Sequence, residues 1–304
     1  MPGRIVKGFS DTQLRQHFWL GSFFALCSAI AFALNLCFAR IAYDHGANLH
    51  ALNGFRSLVF LLYLVLVVTA SRQSISIPSK DKIISLFLGV LLCGEMYALL
   101  TAILFIPVAL AILVMYTYPM MIAVYGWVSG RNNFSYLAAF MLLIAFAGLF
   151  VALDNSTTSF SGRGMVFAAF AAIALATMLL LSERVLAKND NNVVMLYMLI
   201  GTCLIVALLS ATIVDLDWPE SIMGWTAFCA SAVFYVLATF LLFKAVNLIG
   251  PLHTAIIDNT SPVWAIGFSF LLLNQTLRPM QITGAIIVVC AVILLQWTNR
   301  PAQT

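Results

Sequence analysis

The chain has 304 residues, 63% of them apolar and only 9% charged, with a mean hydropathy of +1.03. A soluble domain needs roughly a quarter of its residues charged to cover its surface, and a single apolar core stops growing near about 250–300 residues, so the missing polar surface must face lipid. The net charge of +4 comes with no basic patch interleaved with aromatics, which gives nucleic-acid binding no support.

In chain order, Met1 to Gln16 carries Arg4, Lys7 and Arg15 ahead of the first apolar run, like the charged start of a signal peptide. That run is of full spanning length and no cleavage site closes it, so it is expected to stay as the first helix. A helix crosses the hydrocarbon with about 20 apolar residues. This rule predicts spans at Phe18–Phe38, Leu52–Ala70, Ile83–Phe105, Val108–Val128 and Tyr136–Leu153. Five more follow at Gly164–Leu181, Val194–Val214, Ile222–Phe243, Leu252–Leu273 and Ile282–Trp297. The expectation is an all-α integral membrane protein of ten transmembrane helices joined by short connections.

Positive charge in short loops sets orientation. With the N-terminus inside, the inner face carries Arg4, Lys7, Arg15, Arg72, Lys80, Lys82, Arg131, Arg184, Lys188, Lys244 and Arg300. The outer face keeps only Arg40, Arg163 and Arg278. Both termini are therefore expected in the cytoplasm.

Ionisable groups inside spans are costly, so they face the protein interior and mark function. Glu95 in the third span and Asp258 in the ninth qualify. Each is read as a carboxyl that exchanges a proton during a transport cycle or holds a substrate ammonium group; the alternative is an acid paired permanently with Arg56 or Lys244. Arg56, early in the second span, offers a planar fork of donors to a substrate carboxylate, or else snorkels to the headgroups or pairs with an acid. Arg40 and Lys244 sit at helix ends, where snorkelling is the ordinary reading. Asn35 needs a partner, either across a helix interface or in a cavity, and Asn259 adjoins Asp258. Tyr97, Tyr116, Tyr118, Tyr125 and Trp264 share spans with these groups and suit a cavity for apolar or cationic solutes, although aromatic belts and packing are the common use. Pro119 and Pro262 are read as kinks shaping a hinge or cavity. The six cysteines form no C-x-x-C pair, so neither a metal site nor a disulfide framework is expected. No cofactor is expected.

Shifting the sequence by 143 residues lays Gly21–Leu36 over Gly164–Leu179 with eight of sixteen positions identical. The same offset pairs Ala102 with Ala245, Ile106 with Ile249, Thr117 with Thr260 and Pro119 with Pro262. Two units follow, 18–153 and 164–297, each of five spans. An odd number of spans makes the second copy enter from the opposite face, an inverted repeat, which is a common plan of secondary transporters.

The glycine opening each half (Gly21, Gly164), Arg56 in LNGFRSLVF, Pro119 in YTYPMM, Pro262 in NTSPVW, and the late Gly148 and Gly284 together resemble the EamA family of the drug/metabolite transporter superfamily. The resemblance spans roughly Gly21 to Trp297. Where that family places Gly-Glu after the fourth helix of each half, this chain has Gly130-Arg131 and Asn274-Gln275. The resemblance implies ten helices around a central cavity and export of amino acids or related metabolites across the cytoplasmic (inner) membrane. The partners so implied are a small-molecule metabolite, the lipid bilayer and, in a coupled cycle, protons, with the chain a monomer or weak dimer.

Uptake of a polar metabolite, such as a vitamin or nucleoside derivative, is the alternative direction. An intramembrane enzyme needs a nucleophile–base or metal constellation, and the four histidines (His17, His45, His50, His253) are scattered. A channel would call for a ring-forming filter motif, which the sequence lacks. No Gly-x-x-x-x-Gly-Lys-Ser/Thr loop is present to bind ATP.

Overall fold

The structure, a computed structural model, describes residues 11–130, 161–212, 216–258, 260–273 and 279–298, with isolated positions between 140 and 151. It is all-helical there. Before the gap run α1 (Asp11–Asp44), α2 (Leu49–Ala70), α3 (Ser79–Phe105), α4 (Val108–Met115) and α5 (Tyr118–Val128). After it run α6 (Gly162–Leu186), α7 (Asn191–Thr212), α8 (Ile222–Asp258), α9 (Ser261–Leu273) and α10 (Pro279–Thr298). Among the described residues, seven helices are long and apolar enough to cross a membrane. The chain is a multi-pass membrane protein. Most of the predicted fifth span, Tyr136–Leu153, lies outside the described residues, as do Asn259, Arg131 and Asn274-Gln275.

The helices meet through small residues. α1 packs chiefly on α8, and α3 packs chiefly on α6 and α7. Ala25, Ala29 and Ala33 of α1 are fully buried, and so are their counterparts at the 143 offset, Ala168 and Ala172, with Ala176 nearly so. Such stripes let backbones approach closely where lipid offers no hydrophobic drive for association. Gly89 is pressed against the Met198 carbonyl, and the Thr202 hydroxyl donates to the Gly89 carbonyl at 2.9 Å. This locks α3 to α7.

The repeat is visible in contacts as well as in letters. A Cβ built on Gly21 would lie 2.6 Å from Ile249 Cγ2 and 3.1 Å from Leu248 Cβ. One built on Gly164 would lie 2.8 Å from Ile106 Cγ2 and 3.1 Å from Phe105 Cβ. The first helix of each half thus rests on the end of the third helix of the other. The loops follow the same exchange. Asn48, after α1, donates through both its backbone N–H and its amide to Asp217, after α7, at 3.1 and 3.0 Å. At the far end of α2, Gln73 donates to Asp190 Oδ2 and Asn189 donates to Asp81 Oδ2 (3.3 and 2.9 Å), joining the loop after α2 and the first turn of α3 to the loop after α6.

Several elements differ from expectation for local reasons. α1 runs past Phe38 to Asp44, its last turns held by the Arg40–Asp44 ion pair (3.1 Å) and by Arg40 Nη1 donating to the Ile103 carbonyl (2.8 Å). Arg40 is thus a helix-to-helix tie as well as an end residue. The predicted fourth span is two helices. α4 ends at Met115 and α5 begins at Tyr118, so Pro119 stands in the first turn of a new helix. There a missing N–H costs nothing; Tyr116 and Thr117 keep near-helical angles, so the helix is interrupted for one turn within a single candidate span, Leu110–Val128. α8 passes through Gly250, whose φ of 76° and ψ of 166° suit only glycine. The same residue precedes Pro251, which has no N–H to give, so the chain turns here. Residues 251–258 and α9 then form the counterpart of α4 and α5, broken at the matching place.

Candidate functional site

The two breaks have the same backbone bonding. In the first half Thr117 N–H donates to Val114 O at 3.1 Å and Met120 N–H to Thr117 O at 3.0 Å. In the second, Thr260 N–H donates to Ile257 O at 3.1 Å and Val263 N–H to Thr260 O at 3.0 Å. Every one of these positions is related by the 143 offset. Non-helical backbone at membrane depth is tolerated only where protein or water satisfies it; here each break bonds its own backbone within its half, and the two halves meet there through side chains.

Asp258 ends α8, buried to 3% exposure. Its Oδ2 accepts from the Tyr116 hydroxyl at 2.8 Å and from the Tyr118 hydroxyl at 3.1 Å. These phenols flank Thr117, one on each side of the opposite break. The Tyr116 hydroxyl also lies 2.6 Å from Ser261 Oγ, the first residue of α9, and Ser261 reaches the Ala29 carbonyl at 3.2 Å. One phenol proton serves Asp258 or Ser261 at a time, so Tyr116 links the carboxyl to Ser261, whose own hydroxyl ends on the Ala29 carbonyl. No cation pairs with Asp258 among the described residues. Lys244, an alternative partner, sits over the Phe240 ring at 5.4 Å.

Glu95 belongs to the same chamber. A small cavity of about 30 Å³ is lined by Glu95 of α3, Asp258 and Tyr235 of α8, Tyr116, and Ser28 and Phe32 of α1, among others. That volume holds about two waters at roughly 10–15 Å³ each. The two carboxylates, one from each half, therefore face one space.

Arg56 lies beyond Glu95 and Tyr235. It is 2% exposed, so it does not snorkel. Its guanidinium stacks 4.2 Å over the Tyr235 ring, and Nη1 donates to Asn35 Oδ1 at 3.3 Å. Asn35 Oδ1 also accepts from Ser231 at 2.9 Å, so that amide serves a helix interface and the rim of the site together. Arg56 is within electrostatic range of Glu95, Tyr43 and Tyr97, yet no ion pair holds it among the described residues. A buried charge with no directly bonded counter-ion costs several kcal/mol, which Glu95 at a distance offsets only in part. Cation–π stacking returns about 2 kcal/mol at best, and one hydrogen bond from a charged group about 1.5–3. The balance leaves the guanidinium short of partners.

The remaining expectations separate. Tyr97 is half-buried, with its ring 5.4 Å from that of His50. Trp264 is 37% exposed and stacks on Phe268, away from the cavity lining; Tyr125 is likewise at the surface. The Pro262 side chain and Asn259 lie outside the described residues. Sequence reasoning misses Ser28, Ser231, Ser261, Tyr43, Asn53 and Tyr235, uncharged polar groups that no charge or motif singles out.

The EamA-like transporter family model matches residues 19–153 and again 162–297. The chain belongs to the EamA-like transporter family. Both matches bracket the repeats, and each contains one broken helix. Among the solved structures that match, one crystal structure is similar with a TM-score of 0.67 at 17% identity, covering 90% of this chain and 98% of that one; at that identity it shows a shared fold alone. No curated protein matches.

Proposed function

We propose that this EamA-family protein is a secondary active carrier that exports amino acids or related small metabolites by alternating access, with proton exchange through Glu95 and Asp258. It would cross the cytoplasmic membrane ten times, as two inverted five-helix repeats with both termini inside. The observation that carries this reading is the meeting of the two broken helices at one buried cavity lined by a carboxylate from each half. Discontinuous helices at an interface between repeats are where carriers of this plan bind substrate and coupling ion.

The exchanged contacts support inversion. The loop after α1 meets the loop after α7, and the loop after α2 meets the loop after α6. Because α2 separates these two ends, the loops after the first helix of each half fall on opposite faces. The Lys and Arg counts support an inward N-terminal face.

The test is flux in liposomes under an imposed pH gradient, using solutes that accumulate in the medium of over-expressing cells. Glu95→Gln and Asp258→Asn should each abolish gradient-driven flux while leaving the amount of folded protein unchanged. Wild-type flux in both variants sinks the proton-exchange reading. Unchanged metabolite pools inside and outside over-expressing cells count against export.

A further inference from the structure

The buried guanidinium that the carboxylate chemistry does not use carries a second assignment, which rests on the carrier reading above. Arg56 stands on α2 with Asn53 and Ser57, one turn and one residue away on the same helix, and both are buried to 1% exposure or less. Neither side-chain atom of Asn53 finds a hydrogen-bond partner, nor do Ser57 Oγ, Arg56 Nε, Asn35 Nδ2, Tyr43 Oη and Tyr97 Oη. Buried polar groups are normally satisfied, and a cluster that is not needs an explanation. Here most of the unsatisfied groups are donors, gathered around one cation that makes no direct ion pair among the described residues, with Glu95 within electrostatic range.

We propose that Arg56 and its neighbours Asn53, Tyr43 and Tyr97 form the subsite for an oxyanion of the transported molecule. The guanidinium fork matches the two oxygens of a carboxylate, and phosphate shares that chemistry. Tyr235 and Glu95 border both this subsite and the cavity that holds Asp258. A solute anchored at Arg56 therefore extends towards carboxylates. Its far end must be cationic or hydrogen-bond-donating, because a second negative charge would be repelled by Glu95 and Asp258. The ligand class is a small zwitterion or a carboxylate with a donor tail.

Binding and flux separate this assignment from the carrier reading. The protein in lipid nanodiscs is titrated with the common α-amino acids, with the amide and the decarboxylated amine of each, and with inorganic phosphate, with thermal stabilisation as readout. At least one free acid should bind roughly tenfold or more tightly than its amide and amine, as loss of a charge-assisted bond implies. In Arg56→Gln the acid-to-amide ratio should fall to about one, whereas a merely structural arginine would weaken all probes alike. Arg56→Lys should keep some of the preference. If Arg56→Gln does not fold, the wild-type series together with Asn53→Ala decides, the latter lowering the acid's affinity more than the amine's. Amines or amides binding as well as acids, or no acid binding at all, overturns the subsite; phosphate binding in place of every acid changes the ligand from carboxylate to phosphate and overturns the zwitterion assignment. An acid that binds but never crosses a liposome membrane sinks the carrier reading and leaves the subsite standing.

Discussion

Asp258 takes both its phenols from a helix of the opposite half, so a single residue reports on the junction of the repeats. Tyr116→Phe removes one donor from a buried carboxyl and one contact from Ser261, and a buried group left unsatisfied costs about 1–3 kcal/mol. The expected result is a loss of that size in unfolding in detergent. Paired with Asp258→Asn, the two losses should fall short of additivity by about 0.5–3 kcal/mol, the range for groups in one network. Additive losses would show that the phenol and carboxyl do not interact in the folded protein. Asp258→Asn alone keeps an acceptor for both phenols, so it should be the milder variant for stability while losing proton exchange. Glu95, Asp258 and Arg56 are legible in the sequence because ionisable groups stand out in apolar runs. Ser28, Ser231 and Ser261 are not, since a helical hydroxyl usually bonds its own preceding turn. Thr101 and Thr177 do so, donating to Tyr97 O and Ile173 O at 2.6 and 2.8 Å. Only the fold distinguishes a hydroxyl that crosses to another helix.

At the scale of elements, the two glycines that open the halves are complementary to the isoleucines that close the third helices. Isoleucine is stiff at its first side-chain bond and gives little, so Gly21→Ala and Gly164→Ala should each cost about 1–3 kcal/mol, the usual toll of overpacking. The partner rule makes the expectation sharper. Ile249→Ala should rescue Gly21→Ala, and Ile106→Ala should rescue Gly164→Ala, while the exchanged combinations should only add their losses; melting temperatures of the four doubles check this. Rescue by the wrong isoleucine would break the matched geometry of the halves. The spans, the 143-residue offset and the matched prolines are all readable from the sequence, because hydropathy and repetition are local signals. The interruptions at Tyr116–Thr117 and at Thr260 read there only as kinks. A proline in a span signals an interruption without saying whether the helix resumes on the same axis or starts anew, and that is decided by what the freed backbone meets. Here the backbone is bonded within its own half, and the side chains at the two breaks meet at Asp258.

For the whole molecule, the two ends of the bundle are closed by different pairs of loops from different halves. Asn48 and Asp217 close one end, and Gln73 and Asp190 close the other. A carrier that exposes its cavity to one side at a time must separate one of these pairs while keeping the other, since opening both would make a pore. Cysteines placed at Asn48 and Asp217, or at Gln73 and Asp190, can be joined by a short bifunctional thiol reagent, after the native Cys229 and Cys290, which are exposed, have been replaced. Either bridge alone should stop flux of the exported solute in liposomes, and cleaving the bridge should restore it. A solute that binds at the cavity should still bind in both bridged forms, from the side left free to open. Loss of flux with binding retained separates a blocked movement from a damaged site. Flux that continues with one end bridged would mean that this end is not a gate, and the rocking of one repeat against the other would have to be abandoned for a path through the remaining end.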